Sequence, residues 1–277
     1  MSSWIVGMDG SADAEHALRW AVAQAVDRPI ALTAVTAWSV PTIPVEAGAV
    51  LVPNMFEVEQ SYLRRLERQI AAVDTRGMAI TATVAEGSPA GVLLDASAGA
   101  ELLVVGGRGV GRFRGALLGS VSQRCVNHAT VPVAVIPSDA GTEPTARVVV
   151  GFDQSEHAAN AVRWALDFCA PDVAITVLGA FALAPWLQED VVREHHPREV
   201  DDAERQFREA LAALDPQGRV TPSFVLADPR YALSIAAHEA DLVVLGARGS
   251  GAIRAALIGS VTSWMLHAAT RATVVVH

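Results

Sequence analysis

Gly106-Gly107-Arg108-Gly109-Val110-Gly111-Arg112-Phe113-Arg114-Gly115-Ala116-Leu117-Leu118-Gly119-Ser120 is the stretch whose reading decides the fold. It returns as Gly246-Ala247-Arg248-Gly249-Ser250-Gly251-Ala252-Ile253-Arg254-Ala255-Ala256-Leu257-Ile258-Gly259-Ser260. Both stretches keep the spacing Gly-x2-Gly-x9-Gly-Ser. Each follows an apolar run, Leu102-Leu103-Val104-Val105 or Leu242-Val243-Val244-Leu245, and each leads into a segment of helical pattern. Glycine-rich backbone between a strand and a helix N-terminus presents N–H groups to phosphate. A bare turn need not hold this spacing while neighbours change, as Phe113 against Ile253 and Gly115 against Ala255 do.

Outward from these loops the whole chain repeats. Ile5-Val6-Gly7-Met8-Asp9-Gly10-Ser11 has its counterpart in Val149-Val150-Gly151-Phe152-Asp153-Gln154-Ser155, and Asp9 and Asp153 are 144 positions apart. Arg19-Trp20 recurs as Arg163-Trp164 at the same offset, and the Gly-Ser pairs recur at 140. One domain has been written twice, over 1–138 and 147–277, with a polar linker at 139–146 that contains Gly141 and Pro144.

Each copy alternates strand and helix. Strands are expected near 4–9, 30–37, 79–85, 102–106 and 132–136, and near 173–180, 220–226, 242–246 and 272–276 in the second copy. Ser11 and Ser155 suit helix N-caps, ahead of apolar faces carrying Ala14, Ala17, Leu18, Ala21 and Ala158, Ala161, Val162, Ala165. Charged amphipathic helices are expected near 56–76 and 198–214, after a loop that in copy one contains Pro41, Pro44 and Pro53. Ser88-Pro89 and Asp228-Pro229 start short helices. The fold class is therefore α/β: two tandem open parallel five-stranded sheets with helices on both faces. With the first strand in the middle, ligand binds where the winding reverses between strands one and four. Asp9 and Gly106 should meet at that crevice, as should Asp153 and Gly246.

Each residue type there has a physical task. Gly106 and Gly109 let backbone approach an anion with no Cβ in the way. Gly119-Ser120 starts a helix whose free N–H groups and positive dipole end favour negative charge. The Ser120 hydroxyl either caps that helix or touches phosphate. Arg108, Arg112 and Arg248 add charge. All 21 basic residues are arginine, so the Walker A lysine is missing. The dinucleotide fingerprint fails as well, because Gly10 becomes Gln154 in the second copy.

The net charge of −9 argues against a general nucleic-acid binder. No apolar run reaches the roughly 18 residues that span a membrane. Asp9 and Asp13 interrupt the N-terminal stretch and speak against a signal peptide. Cys125 and Cys169 occupy unrelated places in the two copies, so a reducing cytoplasm is expected. His195-His196, near Glu189, Asp190 and Glu194, reads as a polar surface loop rather than a metal site. Trp20 and Trp164 read as packing. The scattered histidines have no nucleophile partner, which argues against a hydrolase triad. The last strands of the two copies look like apolar sheet edges, and the halves are expected to pair through them. Further association into a homodimer is left open.

The residues resemble the universal stress protein family in its tandem form, over nearly the whole chain. The doubled Gly-x2-Gly-x9-Gly-Ser marks its ATP-binding branch. Gly7-x-Asp9-x-Ser11 and His128-Ala129-Thr130-Val131-Pro132-Val133 also match. The resemblance implies strand order 3-2-1-4-5 and ATP, with Mg2+, as the ligand. It implies that Asp9 and Asp153 contact the nucleoside, and that Ala37 and Ala180 offer backbone to adenine. Phosphates and ribose would lie on Gly106, Gly107, Arg108, Gly109, Val110, Gly111 and Arg112 with Gly119, Ser120 and Val121. In copy two they would lie on Gly246, Ala247, Arg248, Gly249, Ser250, Gly251 and Ala252 with Gly259, Ser260 and Val261. Two features depart from the family. Thr36 and Gly179 stand where it often has His, and Arg271-Ala272 replaces Val131-Pro132. The function implied is regulatory, a stress-response protein that senses or sequesters adenine nucleotide. With neither lysine nor an evident general base, any hydrolysis should be slow. The alternatives are a slow ATPase or nucleotide-transferring enzyme of related fold, and an interaction module whose sites stay empty.

Overall fold

Short apolar runs separated by capped amphipathic helices dictate the architecture. The computed structural model describes residues 2–39, 54–109, 118–181, 189–250 and 258–277. Val110, Gly111, Arg112, Gly251 and Ala252 of the expected loops, and Pro41, Pro44 and Pro53, lie outside these residues. The chain divides into two compact units, Met1–Val131 and Pro132–His277.

The first unit runs β1 (Ser2–Gly7), α1 (Ala12–Ala25), β2 (Ile30–Trp38), α2 (Met55–Ala71), β3 (Ile80–Glu86), α3 (Pro89–Ser97), β4 (Leu102–Gly106) and α4 (Ser120–His128). Its strands pair in parallel in the order β3-β2-β1-β4. β4 is buried along its full length, as expected of a parallel strand covered on both faces. The Ser11 hydroxyl accepts from the Ala14 amide at 3.1 Å and starts α1. That helix buries Ala14, Ala17, Leu18 and Trp20, so Trp20 is a core residue.

The second unit holds β5 (Val133–Ile136), β6 (Arg147–Gly151), α5 (Glu156–Phe168), β7 (Ala174–Phe181), α6 (Glu189–His195), α7 (Pro197–Leu214), β8 (Val220–Leu226), α8 (Pro229–Glu239), β9 (Leu242–Gly246), α9 (Ser260–Ala268) and β10 (Ala272–Val276). The parallel strands run β10-β9-β6-β7-β8, the same 5-4-1-2-3 order read from the other edge. β5 ends the first copy in sequence, yet it lies in this unit and pairs antiparallel with β10, Val135 opposite Thr273 and Val133 opposite Val275. The two last strands thus cover each other's apolar edges.

Two local readings need correction. The segment around His195 is helix α6 rather than loop. Its Val192 is buried with Val200 and Leu226, and that apolar contact holds a short helix whose other faces are charged. The first amphipathic helix ends at Ala71, ahead of the expected 76. The turn that follows has Arg76 and Gly77 at φ 50° and 81°, where an α-helix cannot continue.

The winding reverses between β1 and β4, and between β6 and β9. Close packing at that point requires glycine. A Cβ on Gly106 would lie 2.9 Å from the Asp13 carbonyl carbon and 3.1 Å from the Ala14 nitrogen. A Cβ on Gly246 would lie 2.6 Å from the His157 carbonyl carbon and 2.8 Å from the Ala158 nitrogen. Gly246→Ala should therefore destabilise the protein by about 1–3 kcal/mol through overpacking. Gly141→Ala, with nothing within 4 Å of the new carbon, should be near neutral. Urea denaturation midpoints at constant slope check the contrast.

Candidate functional site

The crevice is built from the residues after β1 and β4, and equally from those after β6 and β9. Asp9 turns back on its own loop, and its Oδ1 accepts from the Ser11 amide at 2.9 Å. Its Oδ2 lies 2.8 Å from where Gly109 would carry a Cβ. The second copy repeats this arrangement. Asp153 Oδ1 accepts from the Ser155 amide at 3.1 Å, and Oδ2 accepts from the Ser250 amide at 2.6 Å. A Cβ on Gly249 would lie 2.5 Å from that same Oδ2. Asp9 meets the first glycine loop at Gly109, and Asp153 meets the second at Gly249 and Ser250, whereas the expected partners Gly106 and Gly246 lie against the backbone of Asp13 and His157 instead. Both carboxylates are exposed.

The far end of each loop closes on its beginning. The Gly119 amide donates to the Gly107 carbonyl at 2.7 Å, and the Gly259 amide donates to the Ala247 carbonyl at 2.7 Å. Gly119 fits under Arg108, whose Cα is 3.4 Å from the missing Cβ, with the Gly109 nitrogen at 3.6 Å. A hydroxyl one turn into each helix fastens it to the strand. Ser122 Oγ donates to the Gly106 carbonyl at 2.6 Å, and Thr262 Oγ1 donates to the Gly246 carbonyl at 2.8 Å. Sequence reasoning missed this pair, although Ser122 and Thr262 keep the 140 offset of the Gly-Ser pairs.

Ser120 is not a cap. Gly119 and Gly259 hold the N-cap positions of α4 and α9, and neither helix has a side-chain cap bond. By contrast α1, α3, α5 and α8 are capped by Ser11, Ser88, Ser155 and Asp228. Among the described residues, the cap positions of α4 and α9 thus give the first amides, those of Ser120 and Val121 and of Ser260 and Val261, no side-chain acceptor of the kind that helix starts usually recruit.

The far ends of the crevices differ. Ala37 lies opposite Ala85 in β3, and Ala180 lies opposite Val225 in β8, both near the strand ends. Thr36 donates its hydroxyl to the Met8 carbonyl at 2.8 Å. At Gly179 the ring of Phe207 stands 2.5 Å from where a Cβ would be, so that ring takes the space of a side chain. Phe207 is buried and packs against Phe152 and Phe224. Glycine at 179 is therefore matched to an aromatic from α7.

One ionic contact went unforeseen. Asp13 Oδ2 accepts from the Arg108 amide at 3.1 Å and lies 3.6 Å from the Arg108 Nε. At 144 positions on, the counterpart of Asp13 is His157. Its Nδ1 is buried without a hydrogen-bond partner among the described residues, and so is Nε2 of His277. Burial, then the charges of His157 and Arg248, hold the His277 imidazole below its ordinary range. Among the described residues no group of three or more His, Cys, Asp or Glu side chains could hold a metal. His195 Nδ1 and His196 Nδ1 instead face the Val191 carbonyl and Glu199.

This geometry defines a class: a doubled, doubly wound α/β protein with a glycine loop and a glycine-capped helix start at each reversal of winding. The universal stress protein family matches residues 3–137 and 144–277, and the chain belongs to it. A universal stress protein of Mycolicibacterium smegmatis is 31% identical over 98% of this chain and 96% of its own length. One from Mycobacterium tuberculosis is 32% identical over 93% of this chain and 90% of its own. A universal stress protein structure from Archaeoglobus fulgidus has TM-score 0.65 at 19% identity, covering 99% of this chain and 97% of that one. That likeness shows the same fold. Among the described residues no helix is long and apolar enough to cross a membrane.

Cys125 and Cys169 are buried and are not joined in a disulfide. Cys125 lies in α4, and burial pushes its thiol up to about 12. Only the thiolate attacks a disulfide reagent. Cys125 should therefore resist dithionitrobenzoate at pH 8 in the native protein and react on unfolding in urea. Peptide mapping of the labelled chain checks it.

Proposed function

We propose that the protein binds ATP at both crevices and acts as a nucleotide-dependent regulator rather than through turnover. The observation that carries this reading is the pair of loop-started helices, α4 and α9, capped by glycine with no side-chain acceptor. Polyphosphate oxygens are the acceptors such a helix start favours, through hydrogen bonds and through the dipole. Lysine is not required. Hydrogen bonds to a charged group contribute roughly 1.5–3 kcal/mol each. Four of them reach the order of the ~8 kcal/mol that corresponds to micromolar binding, before ordering costs.

On this reading Gly106, Gly107, Arg108 and Gly109 with Gly119, Ser120 and Val121 hold the phosphates. Gly246, Ala247, Arg248, Gly249 and Ser250 with Gly259, Ser260 and Val261 do so in the second copy. Asp9 and Asp153 take the sugar hydroxyls, and the backbone of Ala37 and Ala180 faces the base. Mg2+ fits as a passenger of the phosphates. It favours phosphate oxygens and water over an all-protein cage, and the described residues offer no such cage.

Calorimetric titration with ATP should give two sites in the wild type. Gly109→Val with Gly249→Val places a branched side chain against Asp9 and Asp153 and should weaken both sites a hundredfold or more, roughly 2.7 kcal/mol. Unchanged affinity in a variant with native circular dichroism would overturn the assignment. Mass spectrometry of the denatured, freshly purified chain gives an independent readout, with ATP or its breakdown products expected to be released.

A further inference from the structure

The two loops share a backbone plan, but the groups beneath them have opposite chemistry. In the first copy the residue under the loop is a carboxylate. Asp13 accepts from the Arg108 amide at 3.1 Å and sits 3.6 Å from the guanidinium. In the second copy the same place holds His157, against which Gly246 packs as Gly106 packs against Asp13. A second change accompanies the first. At the 140 offset of the Gly-Ser pairs, Pro137 of copy one corresponds to His277 of copy two. The Ala247 amide donates to the Val276 carbonyl at 2.7 Å, which brings His277 beside the start of the loop. Asn160 of α5 donates to the His277 carbonyl at 3.3 Å, which sets it over the same helix as His157. Ser155 Oγ donates to the Arg248 carbonyl at 3.3 Å and draws that residue to the same corner.

Two imidazoles and a guanidinium thus gather where copy one has an acid and a proline. His157 Nδ1 and His277 Nε2 are buried and lack a hydrogen-bond partner among the described residues. A buried polar atom left unpaired is unfavourable, and an oxyanion relieves it best when the ring carries a proton. Among the described residues the surrounding charges are few. Asp153 is engaged by the Ser155 and Ser250 amides. Glu156 is exposed at the start of α5, and Arg163 lies further along it, bonded to Asn160. β7, β9 and β10 contain no titratable side chain. In β6 only Arg147 is charged, and it pairs with Asp241 at the strand's opposite end. α7 buries Val200, Phe207 and Leu211.

We propose that His157 and His277 are positioning residues for anion binding at the second loop, so that this site takes up a polyphosphate together with a proton, whereas the first site, built on Asp13, does not. The proposal rests on the nucleotide reading above and adds that the two sites are unequal. Without ligand, burial first, and then the electrostatic influence of His157 and Arg248, hold the His277 imidazole below its ordinary range. An anion above the loop offsets that influence and raises the imidazole pKa. By linkage, affinity at the second site then rises as pH falls through the histidine range.

The test titrates ATP calorimetrically into the full chain between pH 5.5 and 8.0, in buffers of different ionisation enthalpy so that proton uptake is read directly. Gly109→Val isolates the second site and Gly249→Val isolates the first. ATP's own protonation is common to both sites and cancels in their comparison. The second site should tighten about tenfold more than the first between pH 8 and pH 6, the equivalent of one pKa unit. His157→Asn with His277→Asn should abolish that extra slope and its proton uptake. In the chain with both loops intact, the same double substitution should bring the pH slopes of the two sites together, leaving only the dependence they share. Equal pH slopes at the two sites, or a slope that survives the double substitution, overturns the proposal and leaves the nucleotide reading standing. Failure of the wild type to bind ATP at any pH overturns both.

Discussion

Everything at the two crevices depends on one contact, the end of the fourth strand of each copy lying directly on the first turn of the helix that follows the first strand. Gly106 and Gly246 permit it, because any Cβ there would enter the backbone of Asp13–Ala14 or His157–Ala158. Interiors pack at near-crystalline density, so such an approach cannot be relaxed by small shifts. Once the strand end is seated, Ser122 and Thr262 can reach its carbonyl, and Gly119 and Gly259 can close the loop. The amides of α4 and α9 are left without a side-chain acceptor as a consequence.

On the proposed reading, a site made from main-chain donors explains how an acidic, lysine-free chain holds a polyanion. The net charge is −9, so long-range attraction does not favour phosphate. Favourable potential is confined to helix starts and oriented amides, which act over the length of a turn. Such a site selects by fit and leaves the side chains around it free to vary between copies.

They do vary. Thr36 keeps a hydroxyl bonded to the Met8 carbonyl in the first copy, while Gly179 makes room for the Phe207 ring in the second. Asp13 gives way to His157, and Pro137 to His277. The backbone plan is common to both copies, and the divergence lies in the groups beneath and beside it.

Much of this was legible in the residues themselves. Strand and helix alternation, the Ser11 and Ser155 caps, the doubled glycine spacing and its meeting with Asp9 and Asp153 rest on patterns a few residues long, repeated at a constant offset. The helix α6 escaped notice because its one buried apolar residue, Val192, is hidden among charges and is held by Val200 and Leu226 further along the chain. From sequence Ser120 could either cap its helix or touch phosphate; the structure gives the cap position to the preceding glycine. What only the tertiary structure decided are the partnerships across long separations: Asp13 with Arg108, 95 residues away; Asn160 with the carbonyl of His277; and β5 with β10. Local periodicity records which face of an element is apolar and where it stops. Which polar side chain meets which depends on how strands stack in register, and one sequence, read element by element, carries no trace of that register.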